Sequence, residues 1–521
     1  MHASFRQPTR ILSLVAIALT AFMAFGTWTA SIGRMAPPGA RSNAPHGTIT
    51  ISLSADPPTL DPAYSSSLYD RQVLNNICDK LFDLNAKGKI IGDLVTHTTL
   101  SKNQKVYTFT IRKGVRFTDG SALTATAVKF NLDRDRQPSS TRASELSFVK
   151  SVKVLGRYSL RVTLSQPFAP FISILTDRSG MIVSPKAVKS EGDQNFRNHP
   201  VCSGPFMFQS RVKGDSITLV ANPHYWRKGE PKVKKLIYKI FTDPITAAVN
   251  LQSGQVDMTD AVPATMLKAI QSNSKLRVVN KSGYGYNGIY LNVKAAPLNN
   301  VNVRRAIYWA IDRKKITQVV FGKTAHPGNS PFAPGDLAHD ATDKVPARNV
   351  KLAKQYLAKS HLTGVSFSLL IASGDPIGAQ LAQIVQSELK QIGITVTIQP
   401  EDFGTLLNTT EVTFNYQAAA LGWSGRPDPD QNIYSFFYTK AALNSSQYSN
   451  PTVDKLLNQA RATSKASKRR SLYDKVMKIL DNQVPYVFIY HQDNVFGMSR
   501  SLKGFTYVPD GMIRVASMSK T

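Results

Sequence analysis

The chain is short of the residues from which reactive centres are usually made. Only Cys78 and Cys202 occur in 521 residues, which excludes a disulfide-dense scaffold or a cysteine-rich metal domain. An oxidising compartment permits one bridge between them, but their separation says nothing about proximity, and two buried free thiols are the expectation. The nine histidines are scattered, with none of the close pairs that zinc motifs use, so no metal site is expected. Gly322-Lys323-Thr324 resembles the end of a phosphate loop, yet Thr317 stands where the upstream glycine belongs. Gly422-Trp423-Ser424-Gly425-Arg426 lacks the final glycine of a nucleophile elbow. No segment supplies a nucleophile, a base and an orienting group together, so the expectation is a protein that is not an enzyme and uses no cofactor.

Acidic residues are also scarce. Asp and Glu number 34 against 64 Lys and Arg, a formal charge of +30, and none appears before Asp56. A surface of that sign favours anionic surroundings such as lipid headgroups, cell-envelope polymers or acidic solutes. The basic residues are dispersed rather than gathered in a tail, which suits a solvated basic surface adapted to acid and argues against nucleic acid as partner. Long apolar runs are absent after residue 31. Before it, Arg6 and Arg10 precede an apolar stretch from Ile11 to Ala30, followed by Ser31. That order reads as an export signal over residues 1–31 and a periplasmic destination. The run is also long enough to span a bilayer, so retention as an anchor stays open. No Cys lies near the end of the signal, which argues against a lipid anchor. Residues 32–46, with Pro37, Pro38 and Gly39, form a polar leader.

The rest is patterned as an α/β protein too long for one core. Alternation marks strands at Thr48–Ser54, Val106–Ile111, Ile394–Ile398 and Tyr486–Tyr490. Helical spacing joins Val73, Ile77, Leu81 and Phe82, and again Leu381, Ile384, Val385, Leu389 and Ile392. Thr124 is placed to cap a helix carrying Val128 and Leu132. The stretch around which the chain is organised is Tyr416–Phe437. Ala418–Gly422 reads as a strand buried on both faces. It ends at Trp423 and meets Ser424-Gly425-Arg426-Pro427-Asp428-Pro429-Asp430, where two prolines and a glycine stop regular structure. A ring, a guanidinium and carboxylates are thereby presented at the carboxyl end of a strand, where open α/β sheets bind ligands.

Seven stretches in order carry a resemblance. They are PPTLDPA (57–63), IRKGVRFTDGSALTA (111–125), SGPF (203–206), NPHYW (222–226), LQSGQVD (251–257), VRRAIYWAIDR (303–313) and GW…DPD (422–430). The chain resembles the family 5 extracellular solute-binding proteins of ABC importers over about residues 47–510. The resemblance implies a two-lobed α/β fold of the periplasmic-binding-protein type II class with an additional inserted domain. A discontinuous domain of residues 47–80, 200–293 and 488–521 would carry an insert of 81–199, and residues 294–487 would form the second lobe. Crossovers would fall near Tyr290–Asn292 and Phe488–His491. The implied function is a monomeric periplasmic receptor that closes on a peptide or peptide-like solute and delivers it to inner-membrane permease subunits. A glutathione-like or other anionic solute is the alternative; an envelope hydrolase or an anchored sensor or chaperone belongs to a different class.

Site residues carry over unevenly. Dipeptide binders of the family place an Asp three residues after the Trp, for the ligand ammonium; Arg426 stands there. The position of their carboxylate-binding Arg falls nearest Ala372. Trp423 is expected to wall the cleft, and Arg426 to meet an anionic group, unless it pairs with Asp428 or Asp430 to shape the loop. Ser65, Ser66 and Ser67 are expected beside the ligand or at a helix cap, Tyr284 and Tyr286 along the cleft or in the core, and Asp428 on the loop that faces the ligand.

Overall fold

The computed structural model describes residues 45–521. The export signal, and the leader up to residue 44, lie outside the described residues. Among those described, no helix is long and apolar enough to cross a membrane.

The expected mixed α/β, two-lobed architecture forms around one strand. Tyr486–Ser499 runs for 14 residues and belongs to both lobes. Its first part pairs antiparallel with Tyr286–Leu291, which in turn pairs antiparallel with Ala418–Trp423. Beyond that lie Ser366–Ala372 and Thr395–Glu401, both parallel. Its second part, Asp493–Ser499, pairs with Leu276–Ser282, and Met498 and Gly497 also pair with Met258 and Thr259. From there the first lobe's sheet continues through Thr48–Leu53, Lys235–Ile240, Ser216–Ala221 and Phe206–Val212. The sequence pattern stops at Tyr490 because His491-Gln492-Asp493-Asn494 is polar; those residues carry the strand between lobes, where neither core demands apolar side chains.

A separate antiparallel sheet of Val95–Leu100, Val106–Ile111, Ser159–Leu164 and Val149–Gly156 covers a core around Phe109, Val128, Leu160 and Phe171. It is tied to the first lobe by the Lys80–Met181 bridge and by Val201, which packs against both cores. In the second lobe the sheet is buried on both faces, and the period-2 rule sorts its residues. Leu369, Ile371, Ala418, Val487 and Ile489 face one core. Leu370, Ala419, Tyr486 and Phe488 face the other. Burial of the 418–423 strand on both faces is confined to its start: Leu421 is half-buried and Gly422 exposed.

Three local expectations need correction. The first helix spans Leu68–Ile77, capped by a reciprocal box between Ser67 and Asp70, and Phe82 lies in the short strand Phe82–Leu84. Thr124 precedes the helix Ala125–Asp135 without a side-chain cap bond. Cys78 and Cys202 are bridged rather than free, with Cα atoms 4.9 Å apart across 124 residues. On the chain-entropy account a loop of that size stabilises the fold by about 4–5 kcal/mol.

Candidate functional site

The site is built where Asp177 and Arg178, at the start of the short 3-10 turn Arg178–Gly180 in the first lobe, meet the start of the Leu68–Ile77 helix and the loop after Trp423. Arg178 is completely buried. Its guanidinium donates to Ser65 Oγ, to the Ser67 carbonyl and, at 3.0 Å, to Asp70 Oδ1. Arg142, also fully buried, donates to Glu145 and, at 3.0 Å, to the Ser65 carbonyl. Ser65 and Ser67 are thus consumed by the fold: Ser67 is the helix cap and Ser65 Oγ donates to Asp70 at 2.6 Å. Ser66 remains half-buried, close to Glu411 of the second lobe.

Arg426 comes to this group from the other lobe. It pairs with neither Asp428 nor Asp430. Its Nε donates to Asp177 Oδ2, and its guanidinium lies 4.2 Å from the centroid of the Trp423 ring. Asp428 is held in a two-pronged pair by Arg469, and Asp430 by Arg461 at 2.8 and 2.9 Å. Neither carboxylate of the loop is free. Gly425 is required: its φ is +73°, and a Cβ there would stand 2.0 Å from the backbone carbon of Tyr284. The loop is therefore pressed backbone to backbone onto the segment leading into Tyr286–Leu291.

Trp423 is buried, donates its indole N–H to Asn432 Oδ1 at 3.2 Å and packs edge-on to Phe436. Tyr286 is a core residue, 1% exposed, among Phe436, Tyr486 and Phe488. Tyr284 is half-buried, and burial pushes its phenol up to about 12.

The electrostatics are lopsided. Arg71, Arg142, Arg178 and Arg426 face Asp70, Asp177 and Glu145. Asp510 lies 3.7 Å from Arg71 but is held at 2.8 Å by Arg514. Burial works against the charge on Asp177, yet Arg426, Arg71 and Arg178 outweigh it and hold the carboxyl well below the usual carboxylate range. Arg426 is pulled down by burial and then by the neighbouring Arg71 charge. Arg426 Nη2, Arg178 Nη1 and Arg142 Nε are buried without a hydrogen-bond partner, although Asp177 Oδ2 stands 3.6 Å from Arg178 Nη1. Such donors are costly unless an anion meets them.

Sequence reasoning missed Asp177, Arg178, Arg142 and Glu411. The last sits in the turn Thr409–Thr413, next to Ser66, with its carboxyl raised to about 7, chiefly by burial. No basic side chain forms an ion pair with it among the described residues. Its only sequence signal is being acidic in an acid-poor chain. The scattered histidines are brought together as well: donor atoms of His339, Asp343 and His491 lie within 4.8 Å of one another, although their spacing along the chain shows nothing.

Contacts between lobes surround the site. Ala169 N–H donates to the Arg461 carbonyl at 2.9 Å, Ser173 Oγ to Gln431 Oε1 at 2.9 Å, and Arg461 Nη1 to the Ser144 carbonyl and Ser147 Oγ, both at 3.0 Å. The lobes are shut.

Comparison with known proteins agrees with this architecture. The description "Bacterial extracellular solute-binding proteins, family 5 Middle" matches residues 89–445. The chain is 30% identical over 500 residues to the probable D,D-dipeptide-binding periplasmic protein DdpA of Escherichia coli K12, covering 93% of this chain and 96% of DdpA. It is 26% identical to the glutathione-binding protein GsiB of Salmonella choleraesuis, covering 93% and 96%. Among solved structures, AgaA of A. tumefaciens R10 in complex with agropinic acid superposes with a TM-score of 0.84 at 26% identity, covering 91% and 99%. AppA of Bacillus subtilis in complex with a nonapeptide gives 0.84 at 26%, covering 92% and 100%. Buried charge shared between two lobes, an α/β sheet joined through one long strand, and matches along nearly the whole chain agree: the protein belongs to the family 5 bacterial extracellular solute-binding proteins, the binding components of ABC transporters.

Proposed function

We propose that the chain captures a peptide-like solute carrying both a carboxylate and an ammonium group, closes over it, and presents the shut form to membrane permease subunits. Export by residues 1–31 delivers it to the periplasm. The lobes divide as residues 47–80, 200–293 and 488–521 with the insert 81–199 on one side, and 294–487 on the other. They hinge near Tyr290–Asn292 and Phe488–His491. One observation carries the reading: buried guanidinium nitrogens without hydrogen-bond partners lie in the same region as Glu411, a half-buried carboxyl that forms no ion pair among the described residues. Arg426 Nη2 and its neighbours offer donors to the ligand's anionic end. Glu411, raised to about 7 by burial, offers the acceptor an ammonium needs. Trp423, Tyr284 and Ser66 wall the space between. Affinity comes from burial and matched charge, and the solute leaves unaltered.

A second reading has its own support. With Asp428 and Asp430 taken by Arg469 and Arg461, the loop lacks the carboxylate that dipeptide-binding relatives aim at an ammonium. An anionic solute without an amine needs only the arginines, and AgaA is solved in complex with an acid, agropinic acid. Native mass spectrometry of the chain purified from its host identifies the bound solute. Titration of that solute against Arg426→Ala and Glu411→Gln then separates the readings. Loss in both variants supports the zwitterion, loss in Arg426→Ala alone supports the acid, and loss in neither removes both.

A further inference from the structure

A second site lies where strand Tyr486–Ser499 passes from one sheet pairing to the other. His491 is 2% exposed. Its Nδ1 is 3.0 Å from the Gly285 carbonyl oxygen and its Nε2 is 3.2 Å from Asp343 Oδ2. His339 Nδ1 is 2.8 Å from the Phe332 carbonyl oxygen. A carbonyl oxygen only accepts, so His491 Nδ1 carries a proton and its Nε2 is left as the basic nitrogen; His339 Nδ1, besides facing the Phe332 carbonyl, lies 3.6 Å from Asp343 Oδ2. Backbone carbonyls that fix the tautomer in this way are what metal-ligating histidines use to orient their rings. The Nε2 lone pair of His491 then faces a carboxylate oxygen, and a positive charge is needed between them. Asp343 is itself fixed, its Oδ1 accepting from the Asn329 N–H.

Gly328 brings the backbone close to the His491 ring. A Cβ on Gly328 would stand 2.6 Å from His491 Cδ2 and 2.7 Å from Nε2, against that edge of the ring. Any larger residue at 328 would crowd it. We propose that His339, Asp343 and His491 form a binding site for one divalent transition-metal ion, held through two imidazole nitrogens and one carboxylate oxygen. Two nitrogen donors select zinc, cobalt, nickel or copper over calcium and magnesium. Three protein ligands leave a position for water or another donor. The ion would pin the loop 328–343 to the strand that both lobes share. This holds whichever solute the cleft takes.

The test uses tag-free exported chain, stripped with a chelator and titrated with Co2+, whose visible absorption reports nitrogen coordination, and with Zn2+ in competition. One equivalent per chain is expected, with a tetrahedral or five-coordinate cobalt spectrum. Asp343→Asn, which keeps the acceptor for Asn329, and His339→Gln, on the less buried ring, should each weaken binding by on the order of 100-fold. Metal-free unfolding curves matching the parent show that these variants fold. No stoichiometric binding, or one equivalent bound equally well by both variants, would overturn the site: a proton on His491 Nε2 then suffices.

Discussion

Two arginines of the second lobe, Arg426 and Arg461, are each about 1% exposed and each reach the first lobe, yet they are provided for in opposite ways. Arg461 finds its carboxylate, Asp430, within its own lobe and spends its remaining donors on Ser144 and Ser147. Burial opposes its charge, but Asp430 and Tyr434 more than compensate. Arg426 finds a carboxylate only across the cleft, at Asp177, which Arg71 already holds at 2.7 Å. One nitrogen of Arg426 is left over. An arginine satisfied at home holds its own lobe together; one that borrows its counter-charge from the opposite lobe ties the two lobes to each other.

The comparison can be broken at several strengths. Arg461→Ala strands Asp430 in the interior and should cost about 3–5 kcal/mol in denaturant unfolding; a loss below 1 kcal/mol would demote the pair to ornament. Arg426→Ala should leave stability nearly unchanged, because Asp177 keeps Arg71. Affinity for the co-purified solute should fall by about 2 kcal/mol, roughly 30-fold, in calorimetry. Equal stability losses in the two variants would erase the distinction.

Glu411→Gln should weaken a ligand that carries an ammonium by about tenfold and abolish a pH dependence. Glu411 must ionise to receive the ammonium, and its pKa in the empty site is about 7. Affinity of the parent should therefore rise as pH goes from 6 to 8 by up to about tenfold, while the variant stays flat. The smallest effect is on stability itself. Burial raises Asp260 to about 6 and Asp336 and Asp481 to about 7. The folded state of these acids holds protons that the unfolded state has released. The resulting stabilisation is complete below the unfolded pKa and is lost as pH rises through 6 to 7. Chemical denaturation should show a gain of about 1 kcal/mol or more on going from pH 7.5 to 5.5; a loss over that interval would contradict it.

Much of the architecture could be read from periodicity. The helix Pro376–Lys390 and the strands Thr48–Leu53 and Val106–Ile111 fall where their patterns place them, because each has one core face and local spacing reports it. The candidate site was less legible. Trp423 and Arg426 were found because a strand end beside a Pro-rich turn is a local signal. Their partners were not, since Asp177 is 249 residues from Arg426 along the chain and nothing in Asp177-Arg178-Ser179-Gly180 marks it. The Cys78–Cys202 bridge and the meeting of His339 with His491 were hidden for the same reason: closure over long loops leaves no periodic trace.

The strand Tyr486–Ser499 has a consequence for biogenesis. Both sheets wait for it. A nascent polypeptide of this protein can hide neither open edge until that strand has been made. A product truncated before Tyr486 would offer two unpaired edges to proteases.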